Sequence, residues 1–120
     1  MRIHHLALRV TDLERSLAFY GGLLGLGELA RQRAEGTLRS VWLAAGDTVL
    51  MLETRLAGRG PAEGSSHLLA FAVEDLEAWM RRLAEAGVIV EDRTRDTLYF
   101  RDPDGHRVGL SRYAISPPIA

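Results

Sequence analysis

One segment of this chain is written twice. HHLALRVTDLE at residues 4 to 14 returns as HLLAFAVEDLE at residues 67 to 77, a constant shift of 63 (67 − 4). Leu6, Ala7, Leu8, Val10, Asp12, Leu13 and Glu14 correspond to Leu69, Ala70, Phe71, Val73, Asp75, Leu76 and Glu77. Such self-similarity predicts two copies of one supersecondary unit, each burying the same apolar pattern. In both copies an alternating strand runs straight into a helix start.

Thr11 and Glu14 have capping-box spacing, which predicts a helix beginning near Asp12. Its apolar stripe is Leu13, Leu17, Tyr20 and Leu24, and the glycines at 21, 22, 25 and 27 end it. The second helix repeats the plan with Leu76, Met80, Leu83 and a stop at Gly87. Core packing accounts for these stripes and for Phe19 and Trp79. Segments near 29 to 34, 38 to 44 and 48 to 54, then near 88 to 92, 96 to 101 and 106 to 112, read as three further strands per half. The turns Ala45-Gly46-Asp47 and Asp102-Pro103-Asp104-Gly105 separate the last two strands of each half. The pattern is βαβββ twice, an α+β chain read as a single domain over 1 to 120. Module 1 covers 1 to 54, a Gly, Pro and Ser-rich connector 55 to 66, and module 2 67 to 114.

With 120 residues, 47% of them apolar, the chain is large enough for one proper core. A formal charge of −1 gives no field to attract a polyanion, so nucleic acid is not an expected partner. All fifteen basic residues are Arg, which removes Schiff-base lysine chemistry. The absence of cysteine removes disulfides, thiolate ligands and thiol nucleophiles. No apolar run approaches the roughly 20 residues of a membrane span, and the first residues lack a signal-peptide core, so no membrane partner and a cytoplasmic location are expected. No G-x-S-x-G elbow, Walker loop or dinucleotide fingerprint is present.

Alternation puts Leu6, Leu8 and Val10 under the helix and His5, Ala7 and Arg9 on the other face. By the shift of 63 the matching face of the second half carries Leu68, Ala70 and Ala72, so His5 matches Leu68 while His67 matches His4. The last strands align at a shift of 58 (108 − 50), which makes Met51 and Gly109 counterparts and puts Glu53 and Ser111 on the same face. A cleft between the halves would then be lined by His5, Ala7, Arg9, Met51, Glu53, Leu68, Ala70, Gly109 and Ser111. Trp42, paired with Phe100 by the shift of 58, stacks on a ligand or fills the core; strand parity leaves both open. Arg9 pairs with Glu53 as a structural ion pair or meets a ligand carboxylate. Asp102 and Asp104 read as turn formers.

HHLALRVTDLERSLAFYGGLLGL at 4 to 26, HLLAFAVEDLEA at 67 to 78 and FRDPDGHRVGL at 100 to 110, in this order and spacing, resemble the vicinal-oxygen-chelate superfamily. That superfamily holds glyoxalase I, extradiol dioxygenases, fosfomycin-resistance transferases and bleomycin-resistance proteins. The resemblance implies two βαβββ modules forming an incomplete barrel with a central cleft, a small-molecule ligand and a homodimer. In metal-dependent members it places ligands on the first and last strand of each half. Carried over one at a time, those positions are His5, Met51, Leu68 and Gly109, so only one offers a donor.

A catalytic ion needs about three protein ligands. The expectation is therefore a small-molecule binding protein with no cofactor, of the drug or metabolite sequestering kind, using Arg9, Glu53 and His5 as orienting groups. Two alternatives stay open. One is a metal-dependent lyase, isomerase or dioxygenase with displaced ligands His5, Glu53 and His67, the last turned inward by a bulge. The other is a cofactor-free enzyme with His5 as general base.

Overall fold

The computed structural model describes residues 1–57 and 67–115. The chain divides into two compact units, Met1–Pro61 and Ala62–Ala120. Most of the connector expected at 55 to 66 lies outside the described residues.

Unit 1 contains β1 (His5–Arg9), α1 (Leu13–Leu17), β2 (Gly27–Ala34), β3 (Thr37–Ala45) and β4 (Thr48–Glu53). The strands form one open sheet in the order β1-β4-β3-β2, with β1 parallel to β4 and the other neighbours antiparallel. The helix crossing from β1 toward the rest of the sheet is what lets the parallel pair form. Unit 2 repeats the plan with β5 (Leu69–Ala72), α2 (Leu76–Glu85), β6 (Asp92–Arg93), β7 (Thr97–Arg101) and β8 (Arg107–Ser111), in the order β5-β8-β7-β6. The α+β class and the repeated βαβββ element order are as expected.

Each helix is nucleated by an aspartate cap. Asp12 accepts from the Arg15 N–H at 3.1 Å and Asp75 from the Ala78 N–H at 3.0 Å. The cap is thus Asp12 and not the expected Thr11, whose hydroxyl accepts instead from the Arg15 guanidinium at 3.0 Å. After Leu17 the first helix widens into a π-helical stretch, Ala18–Leu23, and the Leu24 N–H reaches the Phe19 carbonyl at 3.0 Å. The expected stripe Leu13, Leu17, Tyr20, Leu24 assumed α-helical spacing throughout; the wider turn instead buries Phe19 beside Tyr20. Gly87, at φ 75°, ends α2 with Val88 N–H bonded back to the Leu83 carbonyl at 2.9 Å.

Leu50, Leu52, Val41 and Leu43 of the central strands in unit 1 are fully buried with Val10, Leu13 and Tyr20. In unit 2 the same side is built by Val108, Leu110, Leu98 and Phe100 with Leu76 and Leu83. Each core thus comes from alternate residues of its strands, and the intervening residues form a second face. The strand expected near 88 to 92 shrinks to Asp92–Arg93, because Val88 is spent on closing the helix.

Candidate functional site

The open face of unit 1 is fixed by register. His5 lies opposite Val49, Ala7 opposite Met51, and Arg9 opposite Glu53. Across the next pair Trp42 lies opposite Met51 and Ser40 opposite Glu53. Residues directly opposite in a ladder share a face, so Ala7, Met51 and Trp42 form one row with His5 one step toward the strand start. The His5 ring stacks on Trp42, with centroids 6.0 Å apart and planes at 22°. His4 Nδ1 and His5 Nδ1 lie 2.8 Å apart, so one ring donates and the other accepts.

Trp42 therefore shares the face of Met51, the side expected to meet a ligand. Its counterpart in unit 2 is Tyr99, opposite Gly109, and not Phe100, which is fully buried on the helix side. The reason is the hairpin: paired Trp42 and Met51 are nine positions apart and paired Tyr99 and Gly109 ten, so the shift of 58 in the last strand becomes 57 in the strand before it (99 − 42).

Arg9 donates from Nε to the Leu56 carbonyl at 2.9 Å and from its guanidinium to the same oxygen. It ties the segment after β4 to the end of β1. Glu53 Oε1 accepts from the Arg55 N–H at 3.1 Å.

In unit 2 the corresponding row is Ala70, Gly109, Tyr99 and Asp92. Leu68 Cδ1 and Ala70 Cβ each lie 3.5 Å from where a Cβ on Gly109 would stand, so hydrocarbon covers that backbone. The Ser111 hydroxyl is already engaged, 2.7 Å from Thr97 Oγ1 and accepting from the Tyr113 N–H at 3.1 Å. Sequence reasoning missed Tyr99 and Arg107, whose guanidinium stands 4.3 Å over the Tyr99 ring. The alternation of Arg107, Gly109 and Ser111 in β8 was the signal available. Behind them Glu91 meets Arg101 and Arg107 at 3.0 and 3.5 Å. The Arg101 hydrogen bond foremost, against a smaller opposing effect of desolvation, holds the Glu91 carboxyl below the usual carboxylate range.

The family model described as the Glyoxalase/Bleomycin resistance protein/Dioxygenase superfamily matches residues 2–110. The chain belongs to that superfamily. It is 35% identical over 125 residues to the glutathione transferase FosA of Serratia marcescens, covering 98% of this chain and 85% of that protein. It is 33% identical to the metallothiol transferase FosB of Bacillus licheniformis, covering 90% and 73%. Among solved structures, TnmS3, an antibiotic binding protein from Streptomyces sp. CB03234, superposes with a TM-score of 0.74 at 28% identity, covering 92% of this chain and 94% of that one.

These relatives correct the expectation that no cofactor is involved, since proteins matching nine-tenths of the chain are metallothiol transferases. The donors in this chain fit such an ion poorly at the positions the family uses. Of the four positions the resemblance gives, His5 carries an imidazole, while Met51, Leu68 and Gly109 carry a thioether, an alkyl group and a hydrogen. Of the displaced set His5, Glu53 and His67, the two members in unit 1 stand apart. Glu53 lies opposite Arg9, four residues along from His5, about 13 Å at strand spacing. His67 lies two residues before β5. Among the described residues no group of three or more His, Asp or Glu could hold a metal ion. No helix among them is long and apolar enough to cross a membrane.

Proposed function

We propose that this chain takes a small organic molecule against the open face of unit 1, with His5 in contact with it, and acts on the class of compound handled by its transferase and antibiotic-binding relatives. The observation that carries the reading is the stacked His5–Trp42 pair beside Met51, an apolar wall with sparse polar points. Arg9 supports the wall from its end by holding the Leu56 carbonyl. Kinship with FosA and FosB favours thiol transfer to the bound molecule. A second reading, retention of the ligand without reaction, is favoured by the hydrocarbon at Met51, Leu68 and Gly109 and by the likeness to TnmS3.

The test is titration of the protein with fosfomycin and with bleomycin, followed by indole fluorescence in a Trp79→Phe background, with and without Mn²⁺. Glutathione is then added and conjugates are sought by mass spectrometry. Saturable binding weakened about tenfold by His5→Ala, a loss of the size expected for a good polar contact, is the expected result. A Mn²⁺-dependent conjugate establishes transfer and requires donors beyond His5. Binding without conjugate under any condition establishes retention, and no binding of either drug overturns the assignment to antibiotic-like compounds.

A further inference from the structure

Trp42 carries a donor that the described residues leave unused. Its indole Nε1 is buried, and among the described residues it has no hydrogen-bond partner. An indole N–H can only donate, and buried tryptophans ordinarily find an acceptor. The exceptions in native proteins mark water, ligand or catalytic roles. Packing alone gives no reason for the nitrogen, because phenylalanine would offer an aromatic face to His5 and hydrocarbon to Met51 without an orphan polar atom.

Two further facts tie the donor to the site. Trp42 lies directly opposite Met51 and Met51 directly opposite Ala7, so the ring stands in the same row as those two residues and not in the helix-side core. The stack on His5 at 6.0 Å also limits the ring's freedom, so the N–H direction is set before any ligand arrives. A donor fixed in advance loses little entropy on binding.

We propose that Trp42 is a specificity-determining residue of this face, its Nε1–H, covered by neighbouring side chains in the free chain, donating to an oxygen of the bound molecule once those side chains give way. The preferred ligands then carry a carbonyl, hydroxyl or oxyanion oxygen beside an apolar body that rests on Met51 and Ala7. Molecules of the same shape without that oxygen leave the N–H buried and unpaired, which is the situation in which sites discriminate most strongly. The inference rests on the reading that the ligand lies on this face.

The experiment uses acetophenone and α-methylstyrene, which differ by C=O against C=CH₂, at millimolar concentration. In Trp79→Phe protein labelled with ¹⁵N, the single indole N–H resonance reports the Trp42 bond directly, and methyl signals of Met51 and Ala7 report occupancy of the face. Acetophenone is expected to move the indole proton downfield and α-methylstyrene to leave it in place. Replacing Trp42 with 3-benzothienylalanine, the sulfur isostere, keeps the ring and deletes the donor. It is expected to leave the thermal midpoint unlowered while weakening acetophenone about tenfold and α-methylstyrene not at all.

An indole resonance already at a hydrogen-bonded position in the free protein overturns the inference. So does acetophenone binding at Met51 and Ala7 with a stationary indole signal and unchanged affinity in the isostere; both results leave the ligand-face reading standing. Failure of both probes to move the Met51 and Ala7 signals overturns that reading and the inference with it.

Discussion

Unit 1 and unit 2 place their strands in the same order, with β1 on β4 and β5 on β8 as parallel pairs, and Ala7–Met51 in one matches Ala70–Gly109 in the other. On the helix side the two are nearly interchangeable: Leu43, Leu50 and Leu52 against Phe100, Val108 and Leu110, all buried. On the opposite side they part company. Unit 1 presents His5, Trp42 and Met51, and unit 2 presents Leu68, Tyr99 and Gly109 with an arginine over the tyrosine. Core positions have one task, to fill volume with hydrocarbon, and many residues do it. The second faces are less deeply buried, so their residues can differ without emptying either core.

The comparison breaks most readily in the strands that carry both faces. Leu52→Ala empties a fully buried site and is expected to cost about 2–5 kcal/mol in urea denaturation. Its neighbour Met51→Ala is expected to cost under about 1 kcal/mol, since it leaves the core intact. Comparable losses at both positions would mean that Met51 is core and the face is closed. Gly109→Ala serves as the unit 2 counterpart: its new methyl meets Leu68 and Ala70 at ordinary contact distance, so stability should change by less than about 1 kcal/mol.

A smaller effect separates the helices. Asp12→Ala and Asp75→Ala each remove a cap and should each cost about 1 kcal/mol by thermal or urea melting. A negligible loss at Asp12 alone would show that the π-helical stretch, not the cap, holds the first helix.

The smallest effect is electrostatic. Glu91 in unit 2 and Glu28 in unit 1 are both held below the ordinary carboxylate range, chiefly by hydrogen bonds from Arg101 and Arg31 respectively. A lowered folded-state value means that the unfolded chain takes up protons first. The contribution is therefore present above the unfolded value of about 4.3 and fades as pH falls through the folded one. Glu91→Gln and Glu28→Gln should each flatten the loss of the urea midpoint in that acid range, slightly, because both pairs are solvent-exposed. A steeper loss in either variant contradicts the sign.

Much of this frame was legible in the residues. The doubled segment marked out both strand-to-helix units, and the alternation of Leu6, Leu8 and Val10 with His5, Ala7 and Arg9 sorted β1 into its faces. What escaped was anything that depends on loop length or on a choice between adjacent similar groups. The place of Trp42 hinged on a one-residue difference in shift set by the two turns, which no repeat count within a strand reveals. Thr11 and Asp12 are both good caps, and only the backbone geometry selects Asp12. The segment 88 to 92 is apolar enough for a strand, yet Val88 is consumed in terminating the helix. The face of His5 was legible from parity, while its stacking on Trp42 and the Arg107–Tyr99 pair are cross-strand meetings that become visible only with register known.

The π-helical stretch Ala18–Leu23 gives the first unit slack in chain length at one spot. Its wide turn stores one residue beyond what an α-helix of the same rise would use. Deleting a residue there would let the turn contract to ordinary winding with the residues on either side kept in phase, whereas a deletion in the α-helical turn before it, Leu13–Leu17, would swing the side chains that follow round the axis by roughly 100°, a rotation set by 3.6 residues per turn. The wide turn is thus the place where the first helix can be trimmed by a residue, and the turn before it the place where the same loss is felt as a mismatch of side chains against the sheet.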